Sequence, residues 1–125
     1  MSRLLVVEDD PTIMALIVIL LERAGYDVIQ ATSAEEGIQL AADQAPHLIL
    51  MDVALPGMDG LEATRLLKAR EVTARIPVIA LTAQAMKQDA ERAALAGCDG
   101  FIVKPLSTDH FLREIARHLG ERGGG

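Results

Sequence analysis

Five residues of this chain carry more chemistry than their neighbours require: Glu8, Asp9, Asp52, Thr82 and Lys104. Asp52 closes the apolar run "LILM" and leads into the broken segment "VALPGMDG". A carboxylate at the end of a buried run is costly unless something pairs with it. Glu8 and Asp9 end the run "LLVV", Thr82 ends "VIAL", and Lys104 ends "FIV". Carboxylates gathered in one place repel each other, and a hard divalent cation bound by oxygen relieves that repulsion. Mg2+ suits the role, since it takes one or two carboxylates together with waters and phosphate oxygens. Lys104 can add a second positive charge. An aspartate compensated in this way is a nucleophile that can form an acyl phosphate. Such transfer depends on in-line placement and charge neutralisation more than on covalent help from the protein. The Thr82 hydroxyl can donate to a phosphoryl oxygen. Each residue alone has a plainer role as a loop acid, turn residue or surface lysine. Their joint placement at the ends of different apolar runs favours the chemistry.

The elements that must position these groups are legible. "LLVV", "DVIQA", "HLILM", "PVIAL" and "GFIV" read as five short strands, and three of them are apolar throughout, as in a parallel strand covered on both faces. Helices fill the gaps. The first starts after Asp10 as N-cap, with Pro11 at its first position, and stops at Gly25. The second opens at "SAEE", where Ser33 and Glu36 have capping-box spacing. The third follows Gly60, the fourth covers residues 85–96 and stops at Gly97, and the fifth follows Ser107 as N-cap. This is a (βα)5 pattern. Right-handed crossovers give a doubly wound five-stranded parallel sheet with helices on both faces. The second strand is expected at an edge. Ligands of such α/β sheets bind at the carboxyl ends of strands, near a topological switch point. Four of the five strands deliver a polar or charged group to that rim.

Composition narrows the class. The chain has 125 residues, half of them apolar, which suits one domain with a real core. A formal net charge of −6 disfavours nucleic-acid binding. Cys98 is the only cysteine, so no internal disulfide can form, and a reducing cytoplasm is the expected compartment. The start "MSRLLVVEDD" is not a signal peptide. The longest apolar run, "IMALIVILL", has nine residues, well short of the ~20 a membrane-spanning helix needs. The expected organisation is one domain over residues 1–121 and a flexible glycine-rich tail over 122–125.

"LLVVEDD", "LILMDVALPGMDG", "VIALTA" and "FIVKP", in that order and spacing, resemble the receiver domain of bacterial two-component response regulators, whose flavodoxin-like fold implies the strand order 2-1-3-4-5. The segment "IPVIALTAQAMKQDAERAALAGCDGFIVKPLSTDHFL" is similar to single-domain cell-cycle regulators of the DivK type. The resemblance implies that Asp52 is the phosphoacceptor. Asp9 and Asp52 would be Mg2+ ligands, with the backbone carbonyl of Ala54 as a third and Glu8 acting through water. Thr82 would be the switch hydroxyl, Lys104 the phosphate-contacting lysine, and Lys104–Pro105 a cis peptide. Phe101 would be the aromatic that turns inward when Thr82 moves. Ala54 and Gln84 occupy positions that, in the family, influence phosphoryl lifetime, and Ala54 cannot orient a water with its side chain.

The implied function is that of a phosphorylated switch, not a turnover enzyme. A histidine kinase or histidine phosphotransfer protein would supply the phosphoryl group. A downstream protein would read it on the face made by the fourth helix, fifth strand and fifth helix, with the chain a monomer or weak dimer. A receiver excised from a hybrid kinase or larger regulator is the alternative. An aspartate-nucleophile phosphatase is disfavoured, because that class needs a second acid two residues after the nucleophile and Ala54 stands there. A flavodoxin-like cofactor binder is disfavoured by the acidic "EDDP" after the first strand.

The first helix is apolar nearly all round. Ile13, Leu16, Ile17 and Leu20 are expected to face the core, leaving Met14, Ala15, Val18 and Ile19 outward. Met14, Ala15, Val18 and Pro105 are therefore candidates for docking a phosphohistidine-bearing partner. His110 and His118 read as ordinary helix residues, His47 has no assigned role, and Cys98 reads as a small buried residue.

Overall fold

The computed structural model describes residues 2–83, 87–104 and 107–120. Its elements alternate along the chain: β1 (Arg3–Val7), α1 (Pro11–Arg23), β2 (Asp27–Ala31), α2 (Ala34–Gln44), β3 (Leu48–Asp52), α3 (Gly60–Ala69), β4 (Val78–Thr82), α4 (Lys87–Ala96), β5 (Gly100–Val103) and α5 (Thr108–His118). All strand pairs are parallel, in the order β2-β1-β3-β4-β5. The chain winds one way from β1 to β2 and the other way from β3 onward, so the switch point lies between β1 and β3.

Alternation of side chains along each strand feeds two cores. Leu4, Val6, Leu48, Leu50, Ile79 and Leu81 pack with α1 and α5. Leu5, Val7, Ile49, Met51 and Val78 pack with α2 and α3 on the other face. The three central strands are buried along their length except for Arg3, which is why they read as unbroken apolar runs.

Helix starts follow their caps. Asp10 accepts from the amides of Thr12 and Ile13, and Ser33 accepts from Glu36. Glu36 reaches back to the amide of Thr32, one residue before the cap. Asp59 caps α3 by accepting from Glu62. Ser107 stands at the N-cap of α5, but its side chain makes no capping hydrogen bond.

The rotation of α1 differs from expectation. Its buried residues are Met14, Ile17 and Leu21; Leu16 is 48% exposed, and Ile13 and Leu20 are only partly buried. An almost wholly apolar helix has no polar face to fix its rotation, so spacing alone left several faces equivalent. Ile19, also 48% exposed, is outward as expected, with Ala15 exposed and Val18 half-buried.

At the rim opposite the site, Lys68 donates to the carbonyl of Ile76 and to Asp99, whose carboxylate accepts from the amide of Val78. His47, unassigned from sequence, accepts the Arg3 amide at its Nδ1 at 3.0 Å and so closes the start of β1 onto β3.

Candidate functional site

The β3–α3 connection shows how local sequence builds the pocket. Gly57 has φ of +76°, a conformation that glycine adopts without strain. Gly60 lies so close to the Asp52 carbonyl that a Cβ there would collide with backbone. The start of α3 is thereby held against the end of β3, and Asp52 sits at the seam, 4% exposed.

β1 and β3 are neighbours at the switch point, so Glu8 and Asp9 emerge beside Asp52. One carboxylate oxygen from each of the three lies within 4.8 Å of the others. Glu8 is 1% exposed, whereas Asp9 is exposed at the mouth. Glu8 accepts from the amide of Asp10, and Asp52 accepts from the amide of Ala54. Lys104, at the end of β5, reaches across the rim. Its Nζ donates to Glu8 at 2.7 Å and stands 3.4 Å from Asp52 Oδ2. Thr82, 4% exposed, ends β4, and its carbonyl accepts the amide of Lys104. Glu8, Asp9, Asp52, Thr82 and Lys104 therefore meet at one rim.

Three carboxylates face one ammonium. Burial pushes the Glu8 carboxyl above the ordinary carboxylate range; the hydrogen bonds from Lys104 and the Asp10 amide pull it back less strongly, and Asp52 pushes it further up. Burial also pulls the Lys104 ammonium down, but Glu8 and Asp52 more than reverse that, so it stands above the ordinary lysine value. Lys104 is firmly charged, yet it does not neutralise the cluster. Oxygen donors, a surplus of negative charge and an exposed mouth fit a hard divalent cation.

Phe101, on β5, is partly buried and packs against Leu61, Ala80 and Ala93. It also borders a cavity of about 110 Å3 whose wall includes Thr82 and Ala54. Met14 of the expected docking set is not at the surface: it is 5% exposed and belongs to the core. A partner cannot touch it, because packing of α1 on the sheet turns position 14 into the core. Pro105, with its expected cis peptide, and Gln84 lie outside the described residues. The Asp59 cap was readable from "DGLE", which has the spacing of Ser33 and Glu36. Asp89, which borders the same cavity as Thr82, carried no such signal.

An acidic pocket crossed by a lysine, at the switch point of a five-stranded parallel sheet, defines a receiver-type α/β domain. A family model described as the response regulator receiver domain matches residues 4–116, and the chain belongs to that family. Among curated proteins it is similar to the polar-differentiation response regulator DivK of Brucella ovis, at 44% identity over 94% of this chain and 95% of the relative. Among solved structures it is similar to a response regulator from Chloroflexus aurantiacus, with a TM-score of 0.92 and 29% identity, covering 96% of this chain and 98% of the other. It is also similar to the receiver domain of a sensor histidine kinase from Pseudomonas aeruginosa. That structure has a magnesium ion coordinated in its active-site cleft; the TM-score is 0.89 and the identity 35%, over 96% and 98% of the two chains.

Proposed function

We propose that this chain is a phosphoacceptor switch in which Asp52 takes a phosphoryl group from a phosphohistidine of a histidine kinase or phosphotransfer protein. The observation that carries this is the cluster of Glu8, Asp9 and Asp52 with Lys104 laid across it. An Asp52 oxygen attacks phosphorus, the P–N bond breaks, and its electron pair stays on the imidazole nitrogen. Hydrolysis of the acyl phosphate later returns Asp52 and inorganic phosphate. Asp9, Asp52 and the Ala54 carbonyl would hold Mg2+, with Glu8 acting through water; when bound, the ion supplies charge neutralisation for the transferring group. Lys104 holds positive charge against the acceptor oxygens. Thr82 donates its hydroxyl to the phosphoryl group, and Phe101 follows it inward. Ala54 leaves the site without a second acid, which supports a switch over a turnover phosphatase.

Output runs through protein partners on the face formed by α4, β5 and α5, in the cytoplasm. Similarity to DivK over 95% of that relative's length supports a single-domain regulator. Helix α1 starts beside the pocket, and its exposed Ala15, Leu16 and Ile19, with half-buried Val18, form the docking surface for the phosphohistidine-bearing partner. Incubation with Mg2+ and acetyl phosphate, followed by intact-mass measurement, should add one acid-labile phosphoryl group to the wild type and none to Asp52→Asn. No gain in the wild type would defeat the proposal.

A further inference from the structure

Among the described residues, five large aliphatic side chains are exposed. Leu16 and Ile19 belong to α1; Leu66, Val72 and Leu95 do not. Leu66 lies on α3, Val72 in the connection from α3 to β4, and Leu95, 83% exposed, in the last turn of α4. These elements meet at Lys68. Its ammonium donates to the carbonyls of Ala74 and Ile76, and a Cβ on Gly97, just past α4, would press on its stem. The Thr73 hydroxyl donates to the Leu67 carbonyl beside it, so the connection is folded back on the end of α3. Charge gathers at the same corner. Residues 65–75 hold four of the chain's 12 Lys and Arg but only one of its 18 Asp and Glu. Lys68 is paired with Asp99. Arg65, Arg70 and Arg75 are exposed and make no ion pair among the described residues. A basic and partly apolar corner thus stands on a chain whose formal net charge is −6.

We propose that this corner docks an acidic amphipathic segment of a protein partner, its apolar side chains on Leu66, Val72 and Leu95 and its carboxylates on the three arginines. Apolar anchors among unpaired charges of one sign select an occupant with apolar side chains and the opposite charge. The acidic remainder of the chain would repel an anionic membrane or a nucleic acid. A second copy would have to seat a different, acidic surface on the corner, a head-to-tail contact that builds rings or filaments. Lys68 ties the corner to the starts of β4 and β5, through Ile76 and Asp99, at the rim opposite Asp52. Docking there is therefore independent of the phosphoacceptor chemistry and provides a tether that holds in both states of the switch.

The probe is a fluorescein-labelled peptide with leucines at helical spacing and glutamates between them; a second peptide carries lysine in place of glutamate. Anisotropy reads affinity, and amide NMR of the isotope-labelled chain reads location and intact folding. The acidic peptide should bind about tenfold or more tightly than the basic one, weaken as salt is added, and shift the amides of residues 65–75 and of Leu95. Arg70→Glu with Arg75→Glu should weaken it by about tenfold or more, whereas Arg70→Lys with Arg75→Lys should keep most of the affinity. Leu95→Ser should weaken it by about threefold, and Arg23→Glu, exposed at the end of α1, should change little. Mg2+ and acetyl phosphate should leave the affinity within about twofold. No preference for the acidic peptide, or shifts confined to other surfaces, would overturn the proposal. Binding to phosphatidylglycerol vesicles but not to the acidic peptide, lost in the double glutamate variant, would overturn it and assign the corner to a membrane. Self-association in light scattering, lost in the same variant, would overturn it in favour of a second copy. An affinity that changes by about tenfold on phosphorylation, with the mass gain confirmed, would overturn its independence of the switch.

Discussion

Burial raises the pKa of the Cys98 thiol above its ordinary value, against the weaker pull of its contact with Thr64; Asp99 adds to the rise and Lys68 subtracts from it. The thiolate is the nucleophile, so Cys98 should react with iodoacetamide near pH 8 more slowly than a free cysteine, and reach the free rate once the chain is unfolded in urea. The sign of the linked stability follows. The unfolded thiol gives up its proton first, at about pH 8.5, while the folded thiol keeps it. Stability therefore falls as pH rises above that value, and the fall should be absent in Cys98→Ala. A decline of equal slope in the variant would assign it to other groups. Residues whose role depends on a strand end were legible in sequence, because an apolar run stopping at Glu8, Asp52, Thr82 or Lys104 says where the side chain is delivered. Asp89 and His47 were not legible. One borders a cavity walled by residues of α3, β4, α4 and β5, the other accepts the amide of Arg3, and no local pattern encodes either contact.

Elements were readable to the extent that local chemistry fixes them. Asp10 and Ser33 cap where their spacing placed them, because the capping bond joins residues two or three apart. Ser107 lacks its bond although its backbone is extended as a cap requires. The buried face of α1 is not encoded in its spacing, because only contact with the sheet sets it. Two predictions belong to this scale. Ala45, past the end of α2, has φ of +46°, a left-handed conformation that a Cβ disfavours. Ala45→Gly should stabilise the fold by about 0.5–1 kcal/mol, the relief of strain exceeding the added entropy of the unfolded chain. Urea melts read it, and a lower midpoint would contradict it. On α1, Ile19→Glu should change stability by no more than about 0.5 kcal/mol. It should slow phosphoryl transfer from a protein donor while sparing acetyl phosphate. Met14→Glu should instead unfold the domain, since it places a carboxylate in the core. Equal loss with both phosphodonors in Ile19→Glu would remove α1 as the docking surface.

At the scale of the whole molecule, the pocket and the fold pull against each other. The doubly wound sheet places β1 beside β3, and the same adjacency brings Glu8 and Asp9 against Asp52 at the cost of mutual repulsion. Lys104 offsets part of that cost, and burial of Glu8 adds to it. Sites arranged for function commonly reduce stability in this way. In metal-free buffer, Asp52→Asn should therefore be more stable than the wild type by about 1 kcal/mol. The amide keeps an oxygen that can accept from Ala54, but removes one of the three clustered charges. Mg2+ should reverse the order. A cation bound only by the folded state stabilises it by about 1.4 kcal/mol at tenfold excess over its Kd. Asp52→Asn and Asp9→Asn, each lacking a ligand, should gain much less. Urea melts of the three proteins in EDTA and across a Mg2+ titration separate these terms. Equal stabilisation of all three by Mg2+ would show that the ion acts elsewhere, and that the acidic pocket does not hold it.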